Sequence, residues 1–108
     1  MGYQILFFRA SVQTQIERWP VGVYASFVRI SEQMAVSGPS LGMPYTKAMG
    51  DGLFEIRARG LEGIGRAFFC CVKGRQIVIL HGFIKKSQAT PIKELRLAKQ
   101  RMKEVFHD

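Results

Sequence analysis

Between Leu53 and Lys86 the chain reads as three apolar runs punctuated by glycine. Leu-Phe-Glu-Ile-Arg-Ala-Arg leads to a Gly-Leu-Glu-Gly turn. Ile-Gly-Arg-Ala-Phe-Phe-Cys-Cys-Val leads to a Lys-Gly-Arg turn. Gln-Ile-Val-Ile-Leu-His-Gly-Phe-Ile-Lys-Lys follows. β-Branched and aromatic residues between glycine turns predict an antiparallel meander of three strands. Seven basic residues lie in this stretch: Arg57, Arg59, Arg66, Lys73, Arg75, Lys85 and Lys86. Only Glu55 and Glu62 oppose them. The expectation is a sheet with one greasy face and a set of fixed cations, its apolar side covered by the rest of the chain.

The flanking segments supply that cover. Tyr3–Arg9 contains Ile-Leu-Phe-Phe and reads as a strand buried on both faces. Ser11 can cap a short helix that carries Val12, Ile16 and Trp19 on one face. Pro20 breaks the chain or starts a second helix over 21–37, with Tyr24, Phe27, Val28, Ser31, Met34 and Ala35 as its stripe. Gly38-Pro39 stops it. Residues 39–52 hold Pro39, Gly42, Pro44, Gly50 and Gly52 and read as a loop. Thr90 can cap a last helix with Pro91 as its first residue, and Ile92, Leu95, Ala98, Met102, Val105 and Phe106 form its apolar stripe. The resulting order is β-α-α-β-β-β-α, an α+β two-layer design. At 108 residues it reads as one domain, 1–108.

Composition narrows the function classes. Sixteen basic residues against eight acidic ones leave a net charge of +8, which suits a polyanionic partner, either nucleic acid or an acidic protein segment. No apolar run approaches the ~20 residues that span a bilayer, and the N-terminus has no secretion-signal pattern. Adjacent Cys70 and Cys71 point to opposite faces of a strand and pack as reduced thiols. With no Cys/His cluster at metal spacing, no metal or cofactor is expected. These features fit a cytoplasmic protein.

Strand periodicity sorts the cations. Arg57 and Arg59 share a face with Glu55, opposite Phe54, Ile56 and Ala58. A four-residue first turn would set Arg57 directly across from Arg66. Opposed like charges destabilise a sheet unless an anion such as a phosphate lies between them. Guanidinium donates two hydrogen bonds at once to phosphate and stacks on unpaired RNA bases. Lys85 and Lys86 end the last strand, on opposite sides. His81, on that strand, is the candidate acid or base. No paired carboxylates and no Ser/His/Asp arrangement appear. Chemistry on RNA would then rest on electrostatics and on the substrate's own 2′-hydroxyl.

Three segments carry a family resemblance. Gly52-Leu-Phe-Glu-Ile-Arg, Gly63-Ile-Gly-Arg-Ala-Phe-Phe-Cys and Ile79-Leu-His-Gly-Phe-Ile-Lys-Lys-Ser-Gln-Ala-Thr-Pro91 resemble the phage-derived Gp49-like, HigB-type branch of the RelE/ParE toxin superfamily. The loop pattern Gly38–Leu41 with Pro44, and the last helix with Glu94, Ala98 and Arg101, look like the same branch. The resemblance implies a RelE-like fold and the toxin of a type II toxin–antitoxin pair. It implies a ribosome-dependent mRNA endonuclease, with Arg57, Arg59, Arg66 and Lys85 or Lys86 as the catalytic set. It implies partners in the ribosome, mRNA and a helix-turn-helix antitoxin. Lys99, Arg101 and Lys103 are then expected to dock on ribosomal RNA. The position before the second-strand arginine is often aromatic in this branch. Here it is Gly65, so weaker base stacking is expected. Gyrase poisons share the fold, so a non-nuclease toxin or a basic nucleic-acid-binding module stand as alternatives.

Overall fold

The computed structural model describes residues 2–86 and 91–107. Its elements run β1 (Gln4–Phe7), α1 (Ala10–Glu17), α2 (Val21–Ser37), β2 (Thr46–Gly50), β3 (Leu53–Gly60), β4 (Gly63–Val72), β5 (Gln76–Lys85) and α3 (Ile92–Phe106). The five strands form one sheet in the order β1-β5-β4-β3-β2. β1 pairs with β5 in parallel and every other pair is antiparallel. The three-strand meander stands as read. The stretch expected to be a loop, however, contributes β2. Its Thr-Lys-Ala-Met-Gly has little strand character, and its register with β3 (Thr46 opposite Ile56, Lys47 opposite Glu55) supplies what local propensity lacks.

The expectation of one greasy face is corrected. Helices α1 and α2 cover one face, where Val12, Ile16, Trp19, Phe27 and Met34 pack on Ile56, Ala67, Phe69, Ile77 and Ile79. α3 covers part of the other face, where Ala98 is buried against a cluster of Leu53, Phe68, Cys70, Val78 and Leu80. That is why β4 reads Ala-Phe-Phe-Cys-Cys-Val without alternation: its central residues are buried on both sides. β1, by contrast, is an edge strand and only half-buried, because no strand among the described residues pairs with its outer flank.

Helix ends differ from the reading in detail. Arg9, not Ser11, precedes α1, and Ser11 lies in the first turn. Pro20 stands at the cap of α2, whose buried line is Val23, Ser26, Phe27, Ile30 and Met34. Tyr24, Val28, Ser31 and Ala35 flank that line half-exposed. Gly38, at φ +95°, ends α2 and its N–H donates to the Met34 carbonyl. Pro91 is the cap of α3 rather than its first residue, and Thr90 lies outside the described residues. Ile92 and Phe106 are exposed, so the buried stripe of α3 is Leu95, Ala98, Met102 and Val105.

Two polar contacts fix α3 on the sheet. Arg101 donates from Nη1 to the Leu80 carbonyl at 2.7 Å, with its guanidinium over the Phe8 ring. Glu94 Oε1 lies 2.8 Å from His81 Nε2. β5 prepares this dock with a bulge: Phe68 pairs with His81 but Phe69 pairs with Ile79. Leu80 is the extra residue, so Leu80 and His81 both face α3.

Cys70 and Cys71 are free thiols, one toward each face. Burial, with Cys71 beside it, pushes the Cys70 thiol up to about 11, and burial raises Cys71 as well. At pH 8 Cys70 is then about one part in a thousand thiolate, the reactive form. Iodoacetamide at pH 8 is expected to leave Cys70 unmodified in the folded protein and to label it in guanidinium, read by mass spectrometry. Fast labelling of the folded chain would contradict its burial.

Candidate functional site: a cationic sheet face

The second sheet face is only partly covered by α3, and its open half holds the cations. The turn between β3 and β4 is tight, with Gly60 pairing Gly63, and this fixes Arg57 directly opposite Arg66. Glu55 pairs with Phe68, and Lys47 on β2 pairs with Glu55. On β5, Phe83 lies across from Arg66 and Lys85 across from Ile64. Cross-strand pairs share a face, so Lys47, Glu55, Arg57, Arg66 and Lys85 project to the same side as Phe68 and Phe83.

Glu55 is the hub of this group and is 1% exposed. Arg66 Nη1 donates to its Oε2 at 3.2 Å, and Arg57 Nε lies 3.9 Å from its Oε1. Arg57 also reaches Met43 Sδ at 3.5 Å. Arg66 is itself buried. Partial burial, then the Arg66 and Arg57 guanidiniums, lower Lys85 below the usual lysine value; Glu55 opposes that shift and Lys47 adds to it. Two guanidiniums thus meet the Glu55 carboxylate, with Lys47 and Lys85 on the same sheet face. The carboxylate orients two guanidinium forks, and the cations on this face outnumber it. Such a site suits a phosphate that is more negative in its transition state than in its ground state.

Arg59 is exposed and shares this face, opposite Ile64 in the row of Lys85, and it lines a cleft at the open flank of β3 with Ser26, Arg29, Met43, Tyr45 and Arg57. The remaining sequence candidates lie elsewhere. Lys86 is exposed beyond the end of β5. His81 lies under α3, its ring stacked on Phe83 and its Nε2 on Glu94. Lys99 and Lys103 are exposed on α3. Arg101 is turned inward to Leu80, so its fork is committed to the fold. Tyr45, Thr46 and Lys47 read from sequence as loop residues that could face a ligand, and Lys47 stands on β2 beside Glu55; the hub role of Glu55 was missed. The face that Glu55 shares with Arg57 was the available signal, and the burial came from the register.

Gly65 has a different meaning from the one expected. It alternates with Arg66 and so faces the helices, not the open cationic side. A Cβ at Gly65 would lie 2.5 Å from Trp19 Cζ3, and one at Gly82 would lie 2.7 Å from Ile16 Cγ1. The two glycines form a flat floor for Trp19 and Ile16. No stacking platform is lost at the site; Trp19 fills the space an aromatic side chain would take. Gly65→Phe is therefore expected to destabilise by about 1–3 kcal/mol or more through overpacking. The emission of Trp19, the sole tryptophan, should shift red as its ring is displaced. Unchanged emission and stability would contradict this packing.

Comparison with known proteins agrees with this architecture. The model of the phage-derived protein Gp49-like family matches residues 14–103. The chain belongs to the phage-derived Gp49-like family. No curated protein sequence matches it. Among solved structures, the Gp49-like chain is similar to a chain of the archaeal RelE–RelB complex from Pyrococcus horikoshii OT3, with 19% identity and a TM-score of 0.59, over 82% of this chain and 100% of that one. The fold of this Gp49-like protein is RelE-like. No helix among its described residues is long and apolar enough to cross a membrane.

Proposed function

We propose that the protein is a ribosome-dependent mRNA endonuclease, the toxin of a toxin–antitoxin pair. The observation that carries this reading is the Arg57–Arg66 pair, opposed across β3 and β4 with Lys85 and Lys47 around buried Glu55. The chemistry needs no nucleophile from the protein. The substrate 2′-oxygen attacks the adjacent phosphorus and the bond to the 5′-oxygen breaks. A 2′,3′-cyclic phosphate and a 5′-hydroxyl result, with the 2′-hydroxyl proton lost to water and the 5′-oxygen protonated from water. Alignment and charge neutralisation supply the acceleration. Arg66 holds the scissile phosphate, with Arg57 and Lys85 beside it. His81 is placed to hold α3 through Glu94. Exposed Lys99 and Lys103 on α3 suit contacts with ribosomal RNA phosphates.

The antitoxin is the second partner in this reading. One solved neighbour is a RelE–RelB complex, which supports a protein partner, expected to be a small antitoxin with a helix-turn-helix domain. The test compares naked mRNA with mRNA on translating ribosomes. Cleavage is expected only with ribosomes. Equal cleavage of naked RNA would remove the ribosome from the account. Growth arrest through DNA damage with intact RNA would replace it by a gyrase poison.

A further inference from the structure

A cleft of about 310 Å³ opens beside the cationic face, where the β2 ladder stops. The ladder ends at Ile56 with one further bond, from the Arg57 N–H to the Tyr45 carbonyl. Arg29 of α2, Arg57 and Arg59 of β3, and Met43 and Tyr45 of the preceding loop line the cleft, with Ser26 buried at its wall. Three guanidiniums thus meet an aromatic ring, and none of the described lining residues is acidic. Tyr45 is 50% exposed and Met43 58% exposed, yet the loop is fixed. The Tyr45 and Thr46 N–H groups both donate to the Gly42 carbonyl, and the Gly42 N–H donates to Thr46 Oγ1 at 2.8 Å. An exposed ring on a tethered loop, among arginines, is the chemistry that takes an unpaired base and its phosphate. The volume lies near the lower end for small-ligand sites, about 300 Å³, and suits a single nucleotide better than a folded segment. Arg57 belongs both to this cleft and to the Glu55 group, so one RNA strand can engage the two without a gap.

We propose that the cleft is a subsite for the nucleotide next to the scissile phosphate, with its base stacked on Tyr45 and its phosphate held by Arg29 and Arg59. This deepens the nuclease reading and rests on it for the identity of the strand. Cleavage depends on this subsite through substrate binding and through preference at the flanking nucleotide, not through the chemical step.

The test titrates the isotopically labelled full chain with a 2′-O-methylated adenosine dinucleotide, which cannot be cut, and with inorganic phosphate and a glutamate-rich peptide as competitors. The dinucleotide is expected to move the Tyr45 and Arg59 amides saturably, at least tenfold more tightly than phosphate. Tyr45→Ala should weaken it about tenfold, Arg29→Ala should weaken it too, and Tyr45→Phe should bind as wild type. In ribosomal cleavage, Tyr45→Ala should raise KM and relax the flanking preference, with kcat and the position of the cut kept. Equal response to phosphate would reduce the cleft to an anion patch. Preference for the acidic peptide would make it a protein-docking site. Either result overturns the proposal, as would wild-type KM and preference in Tyr45→Ala. If the wild type cleaves mRNA but the dinucleotide leaves these amides unmoved, the subsite fails and the nuclease reading stands. If the dinucleotide seats but no mRNA is cleaved, the nuclease reading fails and the cleft stands as a single-stranded RNA site.

Discussion

Arg66→Ala is expected to lower the rate of ribosomal mRNA cleavage about 10²- to 10³-fold, the usual cost of removing one preorganised donor to a developing charge. Arg66→Lys keeps the charge and loses the fork, so it should recover only a small part of the rate. The two variants separate chemistry from folding. Arg66 is paired with buried Glu55 at 3.2 Å, and Ala there leaves a buried carboxylate whose other ion pair among the described residues is with Arg57 at 3.9 Å. Breaking a buried pair from one side costs about 3–5 kcal/mol. Arg66→Lys can still answer Glu55 and should lose less. Thermal unfolding beside 5′-end mapping would show both effects. An Arg66→Lys variant that folds and cleaves at the wild-type rate would remove Arg66 from the catalytic role.

Glu55→Gln is expected to produce the largest loss of stability without removing a cation. The amide keeps the shape and can still accept from Arg66, but the charge that balances Lys47, Arg57, Arg66 and Lys85 is gone. A loss of about 3 kcal/mol is expected, which at about 4–8 °C per kcal/mol is a large fall in melting temperature for a domain of this size. Phosphate supplies a diagnostic. An added anion can sit among the unbalanced cations, so millimolar phosphate should restore more of the melting temperature in Glu55→Gln than it adds to the wild type. Matched chloride should do little. Equal phosphate effects on both proteins would mean that Glu55 does not balance the cluster.

The meander was legible because its signals are local. Glycine turns and β-branched runs fix three strands without reference to anything distant. The Arg57–Arg66 pairing followed from the length of one turn, and the helices followed from Val12, Ile16 and Trp19 and from the 21–37 stripe. β2 was not legible, since Thr46–Gly50 lies among glycines and prolines and becomes a strand only through β3. The bulge at Leu80 is likewise invisible in a run of apolar residues, and it is what turns His81 under α3. Glu55 misleads in another way. A carboxylate in an alternating strand reads as a solvated charge, and only the partners brought by β2, β4 and β5 bury it. Gly65 was read as a gap in the site, when alternation from Arg66 already placed it on the face that Trp19 occupies.

The most direct test of the central claim is a single-site cleavage measurement on the translating ribosome. The mRNA would carry either ribose or 2′-deoxyribose at the nucleotide that supplies the attacking hydroxyl, with the new 5′ end mapped in each case. Cleavage at the ribose site, its loss on the single 2′-deoxy substitution, and its loss in Arg66→Ala are the predicted results. Cleavage that persists at the deoxy site would contradict attack by the substrate hydroxyl, and a folded wild-type protein that yields no new 5′ end would contradict the nuclease itself.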